Sequence, residues 1–221
     1  MLKRILIIYL MLSTASMLAA ARAEPPCDRH DEPIGKWRKT YQSSNTTIFQ
    51  STPDPDAKPS AIARINWAFD PDALYRIIWS YELFPGVIPN VKHSRILESR
   101  DHQVWVYQQL HFPGPVRDRH YVIKSTDRRS SPLQQHYRVE WSLDKQFPLP
   151  DKARLISPTS FTGCWDIQPN EDHGLNAVYW IQLEPGGLLP DWLVRAAIRR
   201  YLADLMAALH EHLLSTSTHD R

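Results

Sequence analysis

Three polar side chains interrupt apolar strand patterns and are the first candidates for chemistry. Gln108 breaks the alternation of Val104, Val106 and Leu110, and in the next segment His120 and Lys124 flank Val122 at the same two-residue spacing. Along a strand that spacing puts each set on one face. A polar group on an apolar wall needs a partner, because burying an amide or hydroxyl alone costs roughly 2–7 kcal/mol. The partner could be another side chain, solvent, or the hydroxyl, carboxylate or head group of a ligand. His120 or Lys124 could also act as acid–base on a bound molecule.

Two arginine groups extend the candidates. Arg117-Asp118-Arg119 follows the turn Pro113-Gly114-Pro115-Val116, where Asp118 suits a hydrogen bond within its own turn and a pairing with an arginine, with direct ligand contact as the alternative. Arg195 and Arg199, four apart with Arg200 beside them, read either as a solvated helix face or as a contact for anionic lipid head groups. His210-Glu211-His212 is a poor chelate, because helical positions i and i+2 face different directions. No Gly-x-Ser-x-Gly elbow, Gly-rich phosphate loop, His-Glu-x-x-His or dense acidic loop is present, so neither cofactor nor metal is expected.

The elements that must hold these residues follow from periodicity. Short strands are predicted at Trp37 to Tyr41 and Thr46 to Gln50. Ala61 to Phe69 alternates, with Ala63, Ile65, Trp67 and Phe69 on one face. Asp70-Pro71 caps a helix carrying Leu74, Ile77, Ile78 and Tyr81, which ends before Pro85-Gly86, with an irregular or helical turn to Pro89. Strands follow at Arg95 to Glu98, Val104 to His111, His120 to Lys124, Tyr137 to Leu143, Ala153 to Ser157, Phe161 to Ile167 and Val178 to Leu183. The last 30 or so residues form one helix, with Trp192, Leu193, Ala196, Ala197, Tyr201, Leu202, Leu205, Leu209 and Leu213 along a stripe. That order is α+β in a single domain, without a βαβ pattern.

The N-terminus has the form of a secretory signal: Lys3 and Arg4, the apolar run Ile5 to Leu12, then Ala21-Arg22-Ala23. Cleavage after Ala23 is expected, with an uncleaved anchor as the alternative. Residues 1–23 hold three of the 26 Lys+Arg and no acid, which leaves 23 bases against 24 acids. A near-neutral chain lacks the basic face of a nucleic-acid binder. In an exported chain the two cysteines, Cys27 and Cys164, suggest one disulfide, against the alternative of two thiols. Residues 24–36 read as an irregular arm and 216–221 as a disordered tail. The domain itself is expected over residues 37–215.

From about residue 37 to 213 the chain resembles a START domain, the lipid- and sterol-binding family within the helix-grip (Bet v 1-like) superfamily. The resemblance is carried by Pro113-Gly114-Pro115-Val116-Arg117-Asp118, by the strand Thr162-Gly163-Cys164-Trp165 beside Ala177-Val178-Tyr179-Trp180, and by Pro185-Gly186-Gly187-Leu188-Leu189-Pro190-Asp191-Trp192-Leu193 at the entry to the last helix. It implies a curved antiparallel sheet wrapped around the C-terminal helix with a hydrophobic tunnel between them. The tunnel walls would then be Val104, Val106, Gln108 and Leu110 from one strand and His120, Val122 and Lys124 from the next. Tyr137, Val139, Trp141 and Leu143 would follow, then Phe161 with Trp165, and Val178 with Trp180. A solid core made from the same residues is the plain alternative. The family's gate would fall at Phe112, Pro113, Gly114, Pro115 and Val116, facing Trp192. Some members pair an acid with a base deep in the cavity; here Gln108 or Gln109 stands where that acid is expected.

The resemblance and the missing motifs lead to one expectation: a monomeric, exported carrier of a lipid, fatty acid or sterol-like ligand. It would touch membranes transiently through Arg195, Arg199 and Arg200 and would not bind nucleic acid. The alternative is a helix-grip enzyme, cyclase- or hydrolase-like, acting on an apolar substrate.

Overall fold

The computed structural model describes Cys27 and residues 36–54, 57–112, 116–128, 132–149 and 155–217. The expected signal segment, the rest of the arm to residue 35, Pro113 to Pro115 and residues 218–221 lie outside the described residues.

Alternating apolar segments form nine strands: β1 (Trp37–Gln42), β2 (Thr46–Ser51), β3 (Ser60–Trp67), β4 (Val91–Arg100), β5 (Gln103–Leu110), β6 (Arg119–Asp127), β7 (Tyr137–Leu143), β8 (Ser160–Pro169) and β9 (Leu175–Glu184). They make one antiparallel sheet in the order β1-β2-β3-β9-β8-β7-β6-β5-β4. Register shifts within the β1/β2 and β4/β5 pairs interrupt the ladders toward the two edges, where bulges bend strands. The strand expected at Ala153 to Ser157 is represented by Ile156, which makes an isolated bridge to Arg119.

Helix α1 (Pro71–Trp79) starts where the motif predicts. The Asp70 side chain accepts from the Asp72 N–H at 2.7 Å, and Pro71 occupies the first helical position, where no N–H is required. Leu74, Tyr75, Ile77 and Ile78 bury its inner face, and a helical turn at Tyr81–Leu83 leads into the single-turn α2 (Phe84–Val87). The chain then needs a left-handed residue to enter β4, which Asn90 supplies at φ 65°.

Helix α3 (Asp191–Ser217) runs two residues past the expected domain end and fills the concave side of the sheet. Its buried stripe is Val194, Ile198, Leu202, Leu205, Met206, Leu209 and Leu213, spaced three and four apart. Trp192, expected on that stripe, is instead 70% exposed. The turn before α3 places Gly186 and Gly187 at φ 71° and 75°, and a side chain on Gly186 would lie 2.4 Å from the Ser157 carbonyl oxygen. Only glycine fits there. Cys27 and Cys164 form the disulfide, with both residues fully buried.

Two of the predicted strand faces are reversed. The concave face of β6 carries Tyr121, Ile123 and Ser125, so His120, Val122 and Lys124 stand on the convex face. The concave face of β9 carries Ala177, Tyr179 and Ile181, so Val178 and Trp180 also point outward. Both are inner strands whose two faces are apolar or buried. Alternation along such a strand does not distinguish its faces, and a one-residue slip inverts every position. Val104, Val106, Gln108, Leu110, Tyr137, Val139, Trp141, Phe161 and Trp165 stand on the concave face, but Val104, Val106 and Tyr137 pack into the core and do not line the cavity between the sheet and α3.

Candidate functional site

Between the concave face and α3 lies a cavity in two parts that share Leu110, Tyr121, Phe161 and Tyr201 as walls. The outer chamber, about 160 Å³, is enclosed by β5, β6, β8 and β9, the turn before α3 and the first turns of α3. Its surface is almost wholly hydrocarbon, from Val116, Leu183, Leu189, Leu193 and Ile198 among others. The inner chamber, about 60 Å³, reaches toward Ile78, Phe84, Val139, Trp141 and Leu209. A dry apolar cavity of about 150 Å³ can hold one benzene ring. The outer chamber is therefore sized for a ring or for part of one chain.

Four phenols and a tryptophan organise the inner wall. Gln108 accepts from the Tyr121 hydroxyl at 3.0 Å, and its amide nitrogen lies 3.5 Å from Ser94 Oγ. Tyr81 donates to Ser125 Oγ at 2.6 Å, and Ser125 reaches the Glu140 carbonyl at 3.4 Å. The hydroxyls of Tyr179 and Tyr201 are close enough for each to influence the ionisation of the other. Burial pushes all four phenols above their ordinary value, Tyr201 to about 12, so each stays a neutral hydroxyl near neutral pH. Trp141 is buried against Tyr179 and Phe161, at centroid distances of 5.6 and 6.1 Å, and its Nε1–H has no acceptor among the described residues. A buried donor without an acceptor is costly in a protein of this kind.

Arg119 is the charged member of the outer chamber and is 4% exposed. Its guanidinium donates to the main-chain oxygens of Arg117, Pro185 and Gly186, and stacks over Phe112 at 5.8 Å. Burial, followed by Arg117 nearby, lowers its affinity for the proton, while Asp118 acts in the opposite direction. Asp118 itself turns away, accepting from the Phe112 N–H at 3.1 Å and contacting His111 Nδ1 at 3.0 Å. Burial acts to raise the Asp118 carboxyl, but the Phe112 N–H and His111 outweigh it and hold the group below the ordinary carboxylate range.

The convex-face residues have partners unrelated to the cavity. Lys124 lies 5.0 Å over the Trp105 ring, and that indole donates to Asp144 at 2.7 Å. His120 packs edge-on to Tyr107 at 6.1 Å. Of the expected gate, Phe112 and Val116 line the outer chamber, Trp192 does not, and Pro113, Gly114 and Pro115 lie outside the described residues. The arginine trio also divides. Arg195 is inward, held by Asp191 at 2.6 Å and the Ser51 carbonyl at 2.7 Å, whereas Arg200 is exposed beside Asp204. Sequence reasoning missed Tyr121 and Tyr179 as cavity residues, whose signal was the alternate strand face; Arg119 belonged to the Arg117-Asp118-Arg119 candidate, for which a turn role was preferred to ligand contact. Tyr81 and Tyr201 stood in the right helical stripes but were read as apolar filling.

The shape and the cavity define a START-like, helix-grip fold. The STAR-related lipid transfer protein of Xanthomonas axonopodis superposes with a TM-score of 0.71 at 19% identity, over 81% of this chain and 99% of that one. Human StAR-related lipid transfer protein 5 gives 0.75 at 12% identity, over 84% and 90%. The Zhui aromatase/cyclase of a Streptomyces species gives 0.51 at 15%, over 69% and 92%. No protein-family profile matches the chain. An uncharacterised protein of Pseudomonas aeruginosa is 24% identical over 106 residues, 47% of this chain and 50% of its own length. The chain thus spans about half the length of the curated relative that it matches.

Proposed function

We propose that this chain is an exported lipid-binding protein that sequesters the apolar part of a lipid, fatty acid or sterol-like ligand. The observation that carries this reading is the two-part cavity, nearly all hydrocarbon in its outer chamber, between the sheet and α3. Each methylene withdrawn from water into such a cavity contributes about 0.8 kcal/mol, so affinity needs no elaborate polar site. The lipid-transfer names of the Xanthomonas and human proteins with this fold support the same assignment.

Export is supported by the Cys27–Cys164 disulfide, which is at home in an oxidising compartment, and by the charge and apolar pattern of residues 1–23. In this reading the protein works as a monomer in the periplasm or outside the cell. Transient contact with a membrane would fall on Arg199, Arg200 and the exposed Leu188 and Trp192 beside the outer chamber. Phe112 and Val116 would part to admit the ligand.

The enzyme reading relied on His120 or Lys124 as acid–base, and those residues sit on the convex face. The phenols that do line the chamber are held neutral, which suits hydrogen bonding better than proton transfer. Native mass spectrometry of the mature protein, followed by solvent extraction, tests the proposal. A stoichiometric lipid, unchanged on extraction, is the expected result. A bare protein that takes up no amphiphile from vesicles would refute it.

A further inference from the structure

Among the described residues, the guanidinium of Arg119 makes no direct ion pair, and Asp118 acts on it only from a distance. Its acceptors are three main-chain oxygens, and among the described residues no carboxylate lies within ion-pair distance of it. The adjacent acid, Asp118, is occupied on the other side by His111 and the Phe112 N–H. Three carbonyls engage three of the five guanidinium protons and leave two, one on each terminal nitrogen. The chamber wall is mainly apolar, from Leu110, Val116, Leu183, Leu189 and Leu193, with the Asn90 amide and the Tyr121 and Tyr201 hydroxyls as its neutral polar groups and no second charge. A buried cation in such surroundings is stabilised most by an anion that can take the remaining donors, and arginine suits a carboxylate.

We infer that Arg119 anchors the carboxylate of a single-chain amphiphile in the outer chamber, with its hydrocarbon tail passing Leu110, Tyr121, Phe161 and Tyr201 into the inner chamber. This rests on the cavity being the ligand site, and it names the ligand class. The size of the chambers favours one chain, since the outer one matches a cavity that holds a single ring. A diacyl lipid would have to force the sheet and α3 apart. Arg119 also ties β6 to the turn at Pro185 and Gly186, so an anion at this point would bear directly on the turn that sets the entry of α3.

The test is calorimetric titration of the delipidated mature protein with decanoate and with decanol near neutral pH, below their aggregation limits. These probes share a chain and differ in the head group. Decanoate should bind at least about tenfold more tightly than decanol to the unmodified protein. Arg119→Gln should remove that preference, and Arg119→Lys should keep part of it. Thermal melts followed by circular dichroism establish that each variant is folded, and the wild-type comparison does not depend on either variant. Equal affinity of the two probes for the wild type, or a preference that survives in folded Arg119→Gln, would overturn the assignment to Arg119 while leaving a lipid cavity intact. Binding of neither probe would overturn both.

Discussion

Trp141 on β7 and Gly163 on β8 are paired across the sheet, and the indole lies in the space that a side chain at 163 would need. A Cβ built on Gly163 would fall 2.2 Å from Trp141 Cζ2 and 2.6 Å from the Trp180 carbonyl oxygen. The glycine therefore sets the pose of one of the two tryptophans that line the inner chamber. Gly163→Ala should displace Trp141 and cost about 1–3 kcal/mol as an overpacked core. For a domain of this size that is roughly 2–4 °C of melting temperature per kcal/mol. A variant melting at the wild-type temperature would show that the indole can move without penalty.

The faces of β6 make a second prediction, on ligand uptake. Lys124→Ala and His120→Ala change convex-face contacts with Trp105 and Tyr107 and should leave binding of a fluorescent fatty acid within about twofold of wild type. Tyr201→Ala and Trp141→Ala enlarge the chambers or remove their walls and should change affinity by at least about tenfold. The opposite ranking would mean that the ligand lies elsewhere.

The Cys27–Cys164 bridge closes a loop of sequence separation 137. Its loss should cost on the order of 4–5 kcal/mol in the chain-entropy description. Denaturant titration of the Cys27→Ser/Cys164→Ser double variant against the oxidised protein measures this. A reduced midpoint, without loss of the folded far-ultraviolet signal in water, is expected.

The buried phenols predict the alkaline limit of stability. The folded Tyr201 value is raised from 10.0 to about 12, and Tyr81, Tyr121 and Tyr179 are raised too. For a raised folded value the contribution to stability is fully present below the unfolded pKa and is lost as pH rises through the folded one. Stability should thus fall from about pH 10 upward, and phenolate absorbance from these four residues should appear with unfolding. Ionisation of all eight tyrosines of residues 24–221 in the folded protein would refute the burial argument.

At the acid end the sign is reversed. Burial acts to raise the Asp144 carboxyl, but hydrogen bonds from Trp105 Nε1, Gln146 N–H and Phe147 N–H, with Lys124 nearby, bring it below the ordinary carboxylate range. Its contribution is present above the unfolded value and disappears as pH falls through the folded one. Asp144→Asn should flatten the acid limb of a stability–pH profile measured by denaturant melts.

Much of the architecture was legible from local signals. Asp70-Pro71 encodes the start of α1 because both its cap and its missing N–H are local requirements. Gly186-Gly187 encodes the turn into α3 because only glycine relieves the contact at 186. The three- and four-residue spacing from Leu202 to Leu213 encodes the buried stripe of the last helix. These depend on neighbours in the chain and on periodicity, which a sequence carries directly.

Which face of β6 and β9 looks into the cavity was decided only by tertiary structure. Tyr121 and Val122 are both buried, so burial preference does not separate them. It is the pairing of Tyr121 with Gln108, closed by a hydrogen bond at 3.0 Å, that sets the face. Arg119 is a turn residue by sequence and becomes a cavity cation only because the turn at Pro185 and Gly186, more than sixty residues away, folds over its guanidinium. Register and burial of charge are products of long-range pairing, and no local pattern contains them.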